Sequence, residues 1–498
     1  MNTTVSEGVT PSERYLSRLC RKSFLSLWSY PNLHTDEGKR NGKGVGNELC
    51  DLLVVFGSDV IIFSDKYIKL NESIDIEVAW TRWFKKAVQA SVRQLNGAEA
   101  WIRYRGDRIY LDPQCTLRFP ITLPERHDLR VHRVAVALGA FQACRSFFGG
   151  NSIGSLLVNS ELKGDEHYAL PFHIGHVNPG KGFVHVFEEF TLDAVLKEMD
   201  TAADFIAYLS KREQLLTRDR PIIMAPGEEQ LLSIYLTKID GQGEHNFVIP
   251  GEGEPDLISF DESFWDSMVS NPQYLAKKKA DTISYLWDRL IEHFINTAGV
   301  FDESGKRIVT EPRELERGLR VMASEPRIRR RQLARALIDL MENSADGHRA
   351  TRLVYSNDFQ ERAYIFLLLP FIEGMDYEEY RLDRKTLLAA YCRVAKLVCS
   401  KAAFITGIAM EPPSAKKSSE DMVVLDVRDW TDEMEQEARQ LQQGVGLLLE
   451  ENIKKTEGRE IEYPDTTVIS RHASSIGLNR KQRRAAASRE RREQRKRK

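Results

Sequence analysis

The spacing of apolar residues changes period several times along the chain. Thr10, Pro11 and Glu13 stand at N-cap, first-turn and N3 positions, a capped helix start in which proline gives up no needed N–H. Leu16, Leu19, Phe24, Leu27 and Trp28 follow at near-helical spacing, so a first helix is expected to run on to about Ser29-Tyr30-Pro31-Asn32. A polar, glycine-rich loop over 34–47 should follow. Two β-branched runs, 52–56 and 60–63, then flank Gly57-Ser58-Asp59 and read as a hairpin. A second helix is expected over 76–95, burying Trp80, Trp83, Phe84, Ala87, Val88 and Val92. Strands are expected near 100–104, 108–111, 131–138, 155–158 and 182–187, then two helices with breaks near Asp200 and Asp219.

Past residue 215 the pattern loosens, with a glycine-rich loop over 241–253 and a helix over 277–296. A helix over 327–341 introduces a second strand-bearing region, with strands at 352–355, 363–369, 404–408 and 422–427. A long helix over 377–398 lies between them, and a charged helix over 431–453 closes the series. The reading is an α/β chain of four parts. Residues 1–215 form a mixed sheet flanked by helices, 216–345 a mostly helical connector, 346–470 a smaller α/β domain, and 471–498 a basic disordered tail. No internal repeat is visible.

Composition narrows the class. The chain has 498 residues, 42% hydrophobic and 29% charged, a globular balance that excludes a wholly disordered or fibrous protein. Its most apolar stretch, 363–372, has about half the roughly 20 residues a membrane span needs and contains Pro370. Met1 and the residues up to Glu13 are polar and acidic, so a soluble cytoplasmic protein with no membrane partner is expected. Cys20, Cys50, Cys115, Cys144, Cys392 and Cys399 form no C-x-x-C pair, which argues against a disulfide framework or a thiolate zinc site. Cys392 and Cys399, seven apart on a helix, should share its buried face.

The densest chemistry lies in Gly46-Asn47-Glu48-Leu49-Cys50-Asp51-Leu52-Leu53-Val54-Val55-Phe56 and in the partner run ending Phe63-Ser64-Asp65-Lys66. An acid stands at the mouth of one strand and a lysine near the end of its hairpin partner. This arrangement resembles the PD-(D/E)XK nuclease superfamily, in particular its restriction-endonuclease-like and nuclease-related branches. The resemblance covers about 90 residues of the N-terminal region. Asp51 matches the first-strand acid and Lys66 the motif lysine, while Ser64 stands where the second acid belongs. Side chains alternate along a strand, so Asp65 should face away from Ser64 and Lys66. Glu48, from the bend before the strand, would then supply the missing carboxylate, and Glu13 matches the helical acid many members carry. The resemblance implies hydrolysis of phosphodiester bonds in DNA or RNA, with Asp51 and Glu48 holding Mg²⁺ or Mn²⁺ and Lys66 orienting water. It also points toward genome defence. Beyond that core, the run 24–32 together with this motif resembles a bacterial family rather than a named enzyme. The competing class is a non-catalytic scaffold associated with nucleic acid or ribosomes.

His167, His173, His176 and His185 fall close together but lack regular ligand spacing, so partly exposed strand and loop histidines are expected. The runs Gly149-Gly150-Asn151-Ser152-Ile153-Gly154 and Gly241-Gln242-Gly243 lack the Gly-Lys-Ser/Thr of a phosphate loop. Arg327, Arg329, Arg330 and Arg331 open a helix against its macrodipole, so they should either contact phosphate or form a solvated cluster paired with Asp339 and Glu342.

The net charge of −2 conceals an asymmetry: 478–498 holds 11 Lys or Arg against two Glu, a charge of +9 that leaves −11 on everything before it. Arg480, Lys481, Arg483, Arg484, Arg491 and Arg492 are therefore expected to bind a phosphate backbone with counterion release. Deleting 478–498 should weaken binding to single-stranded DNA or RNA and flatten its salt dependence. An unchanged salt slope in a filter-binding titration would remove the tail from the interface.

Overall fold

The structure is a computed structural model that describes residues 8–39, 43–149, 153–241, 244–247, 256–297, 312–344, 347–356, 359–415, 419–456, 458 and 460–464. The tail cations named above lie outside these residues. The fold is mixed α/β with three sheets.

Helix α1 (Pro11–Phe24) begins with the expected capping box, Thr10 Oγ1 accepting from the Glu13 N–H at 3.2 Å. It ends earlier than its apolar spacing suggests, because Leu25 turns to a φ of +64°. Residues Ser29–Thr35 form strand β1 rather than helix end and loop, and their side chains are almost all buried. Strand β2 (Asn47–Phe56) and strand β3 (Asp59–Tyr67) form the expected hairpin. Helix α2 (Ile76–Phe84) passes through a π-helical turn (Lys85–Gln89) into helix α3 (Ala90–Arg105). The strand expected at 100–104 is thus helix: Leu95, Ala98, Trp101 and Ile102 continue one buried face at spacings of three and four.

Strands β4 (Ile109–Tyr110) and β5 (Arg130–Leu138) follow. After helix α4 (Phe141–Phe147) come strands β6 (Leu157–Lys163), β7 (His173–His176) and β8 (His185–Phe187). The first sheet has the order β4-β1-β2-β3-β5-β8, antiparallel through β3 and parallel from β3 to β8. Both faces are covered, as the parallel half requires. Helix α3 lies on one; α1, helix α5 (Glu189–Glu198) and helix α6 (Ala202–Leu216) lie on the other, where Phe24, Phe63 and Phe205 meet ring to ring.

Strand β9 (Ile222–Ala225), helix α7 (Glu228–Thr237) and strand β10 (Leu257–Ser259) come next, and the second sheet has the order β10-β9-β6-β7. It therefore joins strands from either side of residue 215. Helices α8 (Phe264–Val269), α9 (Pro272–Asp281) and α10 (Tyr285–Thr297) follow, so the helix expected over 277–296 is two. Helices α11 (Pro312–Ala323) and α12 (Arg327–Asn343) lead to the third sheet, made of β11 (Ala350–Val354), β12 (Arg362–Leu368), β13 (Phe404–Met410) and β14 (Glu420–Asp426) in that order. Helix α13 (Tyr377–Val398) covers one face, burying Cys392 with Cys399 just beyond its end, as expected. Helix α14 (Asp432–Val445) packs on α13. The opposite face of the third sheet joins the main core, where Trp287 meets Tyr364 and Phe366. Among the described residues no helix is long and apolar enough to cross a membrane.

The arginines of α12 are neither solvated nor free for phosphate: all four are buried. Arg327 pairs with Asp200 and Asp288, each at 2.8 Å, and Arg330 reaches Asp288 at 2.6 Å and the carbonyls of Ala323 and Glu325. Arg331 pairs with Asp281 and Glu460. Their partners come from before α6, from α9 and α10 and from the C-terminal segment, so Asp339 and Glu342 are not what neutralises them. Removing one member of a buried pair strands the other charge in low dielectric. Arg330→Ala should therefore cost about 3–5 kcal/mol of stability, read as a lower urea midpoint. A shift no larger than that of an exposed Arg→Ala control would contradict the network's role.

Candidate functional site

The hairpin brings the sequence-predicted groups together through a local failure of its own ladder. Regular β2–β3 pairing runs from Phe56/Asp59 back to Leu52/Phe63. There the Asp51 side chain takes over: its Oδ2 accepts the Asp65 backbone N–H at 2.7 Å. A carboxylate doing the work of a backbone carbonyl spreads the strands and holds one charged group between them. Lys66 Nζ lies 3.7 Å from the same oxygen, with about a third of its side chain exposed, while Asp51 is buried.

Glu48 stands on β2 itself, not on a bend before it, and its carboxyl is within hydrogen-bonding reach of Asp51. It keeps solvent contact, yet partial loss of water and then the Asp51 charge push its pKa up to about 7, against the pull of Lys66. Asp51 is also raised, first by burial and then by Glu13, with Lys66 and the Asp65 N–H opposing. Two carboxyls so close cannot both easily hold full charge, which helps keep Glu48 toward its neutral form.

Glu13 is occupied in its capping box, its Oε2 accepting the Val9 N–H at 2.7 Å, but its charge is felt by Glu48, Asp51 and Asp65. Ser64 is not brought into the cluster. It is fully buried against α3, donating to Gln94 Oε1 at 2.8 Å. Asp65, set aside on strand alternation, belongs to the acidic group. Burial and then the Asp51 and Glu13 charges push its pKa up to about 6, although the Ser12 hydroxyl lowers it, and both its oxygens are buried without a well-formed hydrogen bond. Strand alternation turns Asp65 away from Ser64, but it does not show that the start of α1 delivers Glu13 and Ser12 to the Asp65 side.

Beside Glu48 lies a cleft of about 600 Å³ between the start of β2 and α3, lined by Asn47, Glu48, Arg93, Trp101, Tyr104 and Arg105 among others. Arg93, Gly97, Trp101, Tyr104 and Arg105 recur at helical spacing along α3. The signal was present in the sequence but hidden by reading 100–104 as strand. Tyr104 is 63% exposed, with Arg126 over its ring, and Arg105 and Arg108 approach Trp101.

The histidines divide. His173 and His176 are half-buried, as expected, but His167 and His185 are fully buried. His167 accepts the Gly175 N–H at Nε2, 2.9 Å, and stacks on Phe84, a structural use. His185 is packed between Phe183 and Phe187, because β8 is an inner-facing strand whose neighbour α6 closes over it.

The charge state of the acidic cluster is linked to protons. Glu48 titrates in the folded chain near 7, above its ordinary 4.5, so the folded state binds more protons in that window and loses stability as pH rises through it. A divalent ion held between Glu48 and Asp51 would take the proton's place. Mn²⁺ should therefore raise Tm more at about pH 8 than at about pH 6, and Glu48→Gln should level the two. An equal rise at both pH values in the unaltered chain would exclude this linkage. No protein-family model, curated protein or solved structure matches the chain.

Proposed function

We propose that this protein is a metal-dependent phosphodiesterase acting on DNA or RNA. The observation that carries the reading is the convergence of Asp51, Glu48 and Lys66 at the point where β2 and β3 part, at the edge of a cleft lined by arginines and aromatic rings. The donor set suits a hard cation: two carboxyls within reach of each other, and the two unsatisfied Asp65 oxygens close by. Asp51 and Glu48 would hold Mg²⁺ or Mn²⁺, which supplies charge neutralisation at phosphorus and a more acidic bound water. Lys66, fixed by Asp51, would position the attacking water or steady the phosphate. Arg93 and Arg105 would neutralise backbone phosphates, and Tyr104 offers an exposed face to a base. Ser64 and Gln94 tie β3 to α3 and so set the distance between the cluster and the cleft floor. Genome defence and a cytoplasmic setting accord with such an activity.

A binding scaffold would share the cleft and the basic tail, so cutting separates the two readings. Labelled single- and double-stranded DNA and RNA should be cleaved with Mg²⁺ or Mn²⁺ and spared with EDTA. Asp51→Ala and Lys66→Ala should each reduce cleavage by roughly 100-fold or more while leaving binding largely intact. Folded protein that binds these strands but cuts none of them with either metal would make the scaffold the better account.

A further inference from the structure

A second cluster stands at the other end of β3. His132 on β5, His185 on β8 and Glu213 on α6 each offer a donor atom, and these atoms lie within 4.8 Å of one another. Register explains the meeting. His132 is level with Ile61, and His185 with Val134, so both histidines face the side of the sheet on which Phe63 stacks against Phe205 of α6. Glu213, two turns further along α6, arrives above them. Seven residues of strand separate Asp59 from Lys66, roughly 23 Å at 3.3 Å per residue, so this is a separate place from the acidic cluster.

The state of the ring nitrogens is what singles it out. His132 and His185 are 6% and 0% exposed, yet His132 Nδ1 and His185 Nε2 have no hydrogen-bond partner among the described residues. A buried, unsatisfied imidazole nitrogen is costly, and here two of them lie on residues grouped with one carboxylate. His132 is also held from behind: its Nε2 donates to Asp59 Oδ1 at 3.0 Å, which leaves the Nδ1 lone pair bare. A carboxylate behind the far nitrogen is how metal-ligating histidines are oriented and made more basic. The surrounding cations are already neutralised. Arg130 is paired with Asp59, Arg133 with Glu99 at 3.1 Å, and Arg212 with Glu228 through two of its nitrogens.

We propose that His132, His185 and Glu213 form a binding site for a borderline transition-metal ion such as Zn²⁺, with Asp59 as the positioning residue behind His132. Two imidazoles and one carboxylate favour Zn²⁺ over Mg²⁺ and leave a fourth position open. One contact must change. Arg212 Nη1 lies 3.2 Å from His185 Nδ1 and can only donate, so without metal the ring proton sits on Nε2. Binding at Nε2 moves that proton to Nδ1, and the Arg212 Nη1 contact lengthens while its two bonds to Glu228 remain. The bound ion would clamp α6 to β5 and β8.

The full chain, stripped with chelator and then given excess Zn²⁺, should retain about one equivalent after desalting, and given Co²⁺ instead should show tetrahedral absorption bands that Zn²⁺ bleaches. Glu213→Gln, at a half-exposed position that tolerates the change, should weaken Zn²⁺ at least ~10-fold, as should Asp59→Asn. His132→Ala should abolish the Co²⁺ bands. Asp51→Asn should leave Zn²⁺ binding unchanged while removing metal-dependent cleavage, which keeps this proposal independent of the acidic cluster. Folded wild type that retains no Zn²⁺, affinity untouched by Glu213→Gln and His132→Ala, or Zn²⁺ lost with Asp51→Asn would each overturn the assignment.

Discussion

Buried charge that must be neutralised in place is the constraint on which the rest of this architecture depends. Arg327, Arg330 and Arg331 lie one behind another along α12 with Asp200, Asp281, Asp288 and Glu460 around them, and none can lose its partner without leaving an ion in low dielectric. Glu325, just before α12, is fully buried against Arg362 and Tyr364 of β12. The same short segment therefore fastens the helices after the first sheet to the third sheet. Apolar packing of Trp287 on Tyr364 and Phe366 supplies area at this junction, and the ion pairs supply register. Register is what lets distant strands and helices meet at defined points.

The candidate site follows the same logic on a smaller scale. Asp51 serves two purposes: it completes the hydrogen bonding of Asp65 N–H where the ladder ends, and it presents its charge to Lys66 and Glu48. A side chain that is structural at one oxygen and chemical in its charge is rigid without needing further support. Burial first, and then repulsion among the acids, hold Glu48 and Asp65 toward their neutral forms against the pull of Lys66. Such a cluster is unfavourable for folding, and that cost is what a divalent ion would relieve under the proposed function.

The two ends of β3 also show different donor chemistry. At Lys66 the donors are carboxylates beside an open cleft; at Asp59 they are imidazoles and one carboxylate beneath α6. Hard and borderline metals are sorted by such donor sets, so under the two proposals one strand would carry a reactive site at one end and a clamp at the other.

Much of this was legible without coordinates. The capping box at Thr10, the β2–β3 hairpin, helix α13 and the strands of the third sheet follow from local pattern, because capping and hydrophobic periodicity act over a few residues. The pairing of Asp51 with Lys66 was also legible, since a tight turn forces the two runs antiparallel. Other features required the tertiary structure. Residues 29–35 became a strand because β2 and β4 flank them, and 100–104 stayed helical because Trp101 and Ile102 continue a buried face. The arginines of α12 looked like a surface patch because their charged partners Asp200, Asp281, Asp288 and Glu460 lie at least 39 positions away. Asp65 joined the acids only because α1 abuts its face, and His132 met His185 and Glu213 only across strands and a helix far apart in sequence. Short-range pattern is set by the chain's own period; charge neutralisation and ligand convergence are set by which distant elements share a face, and that is decided by folding alone.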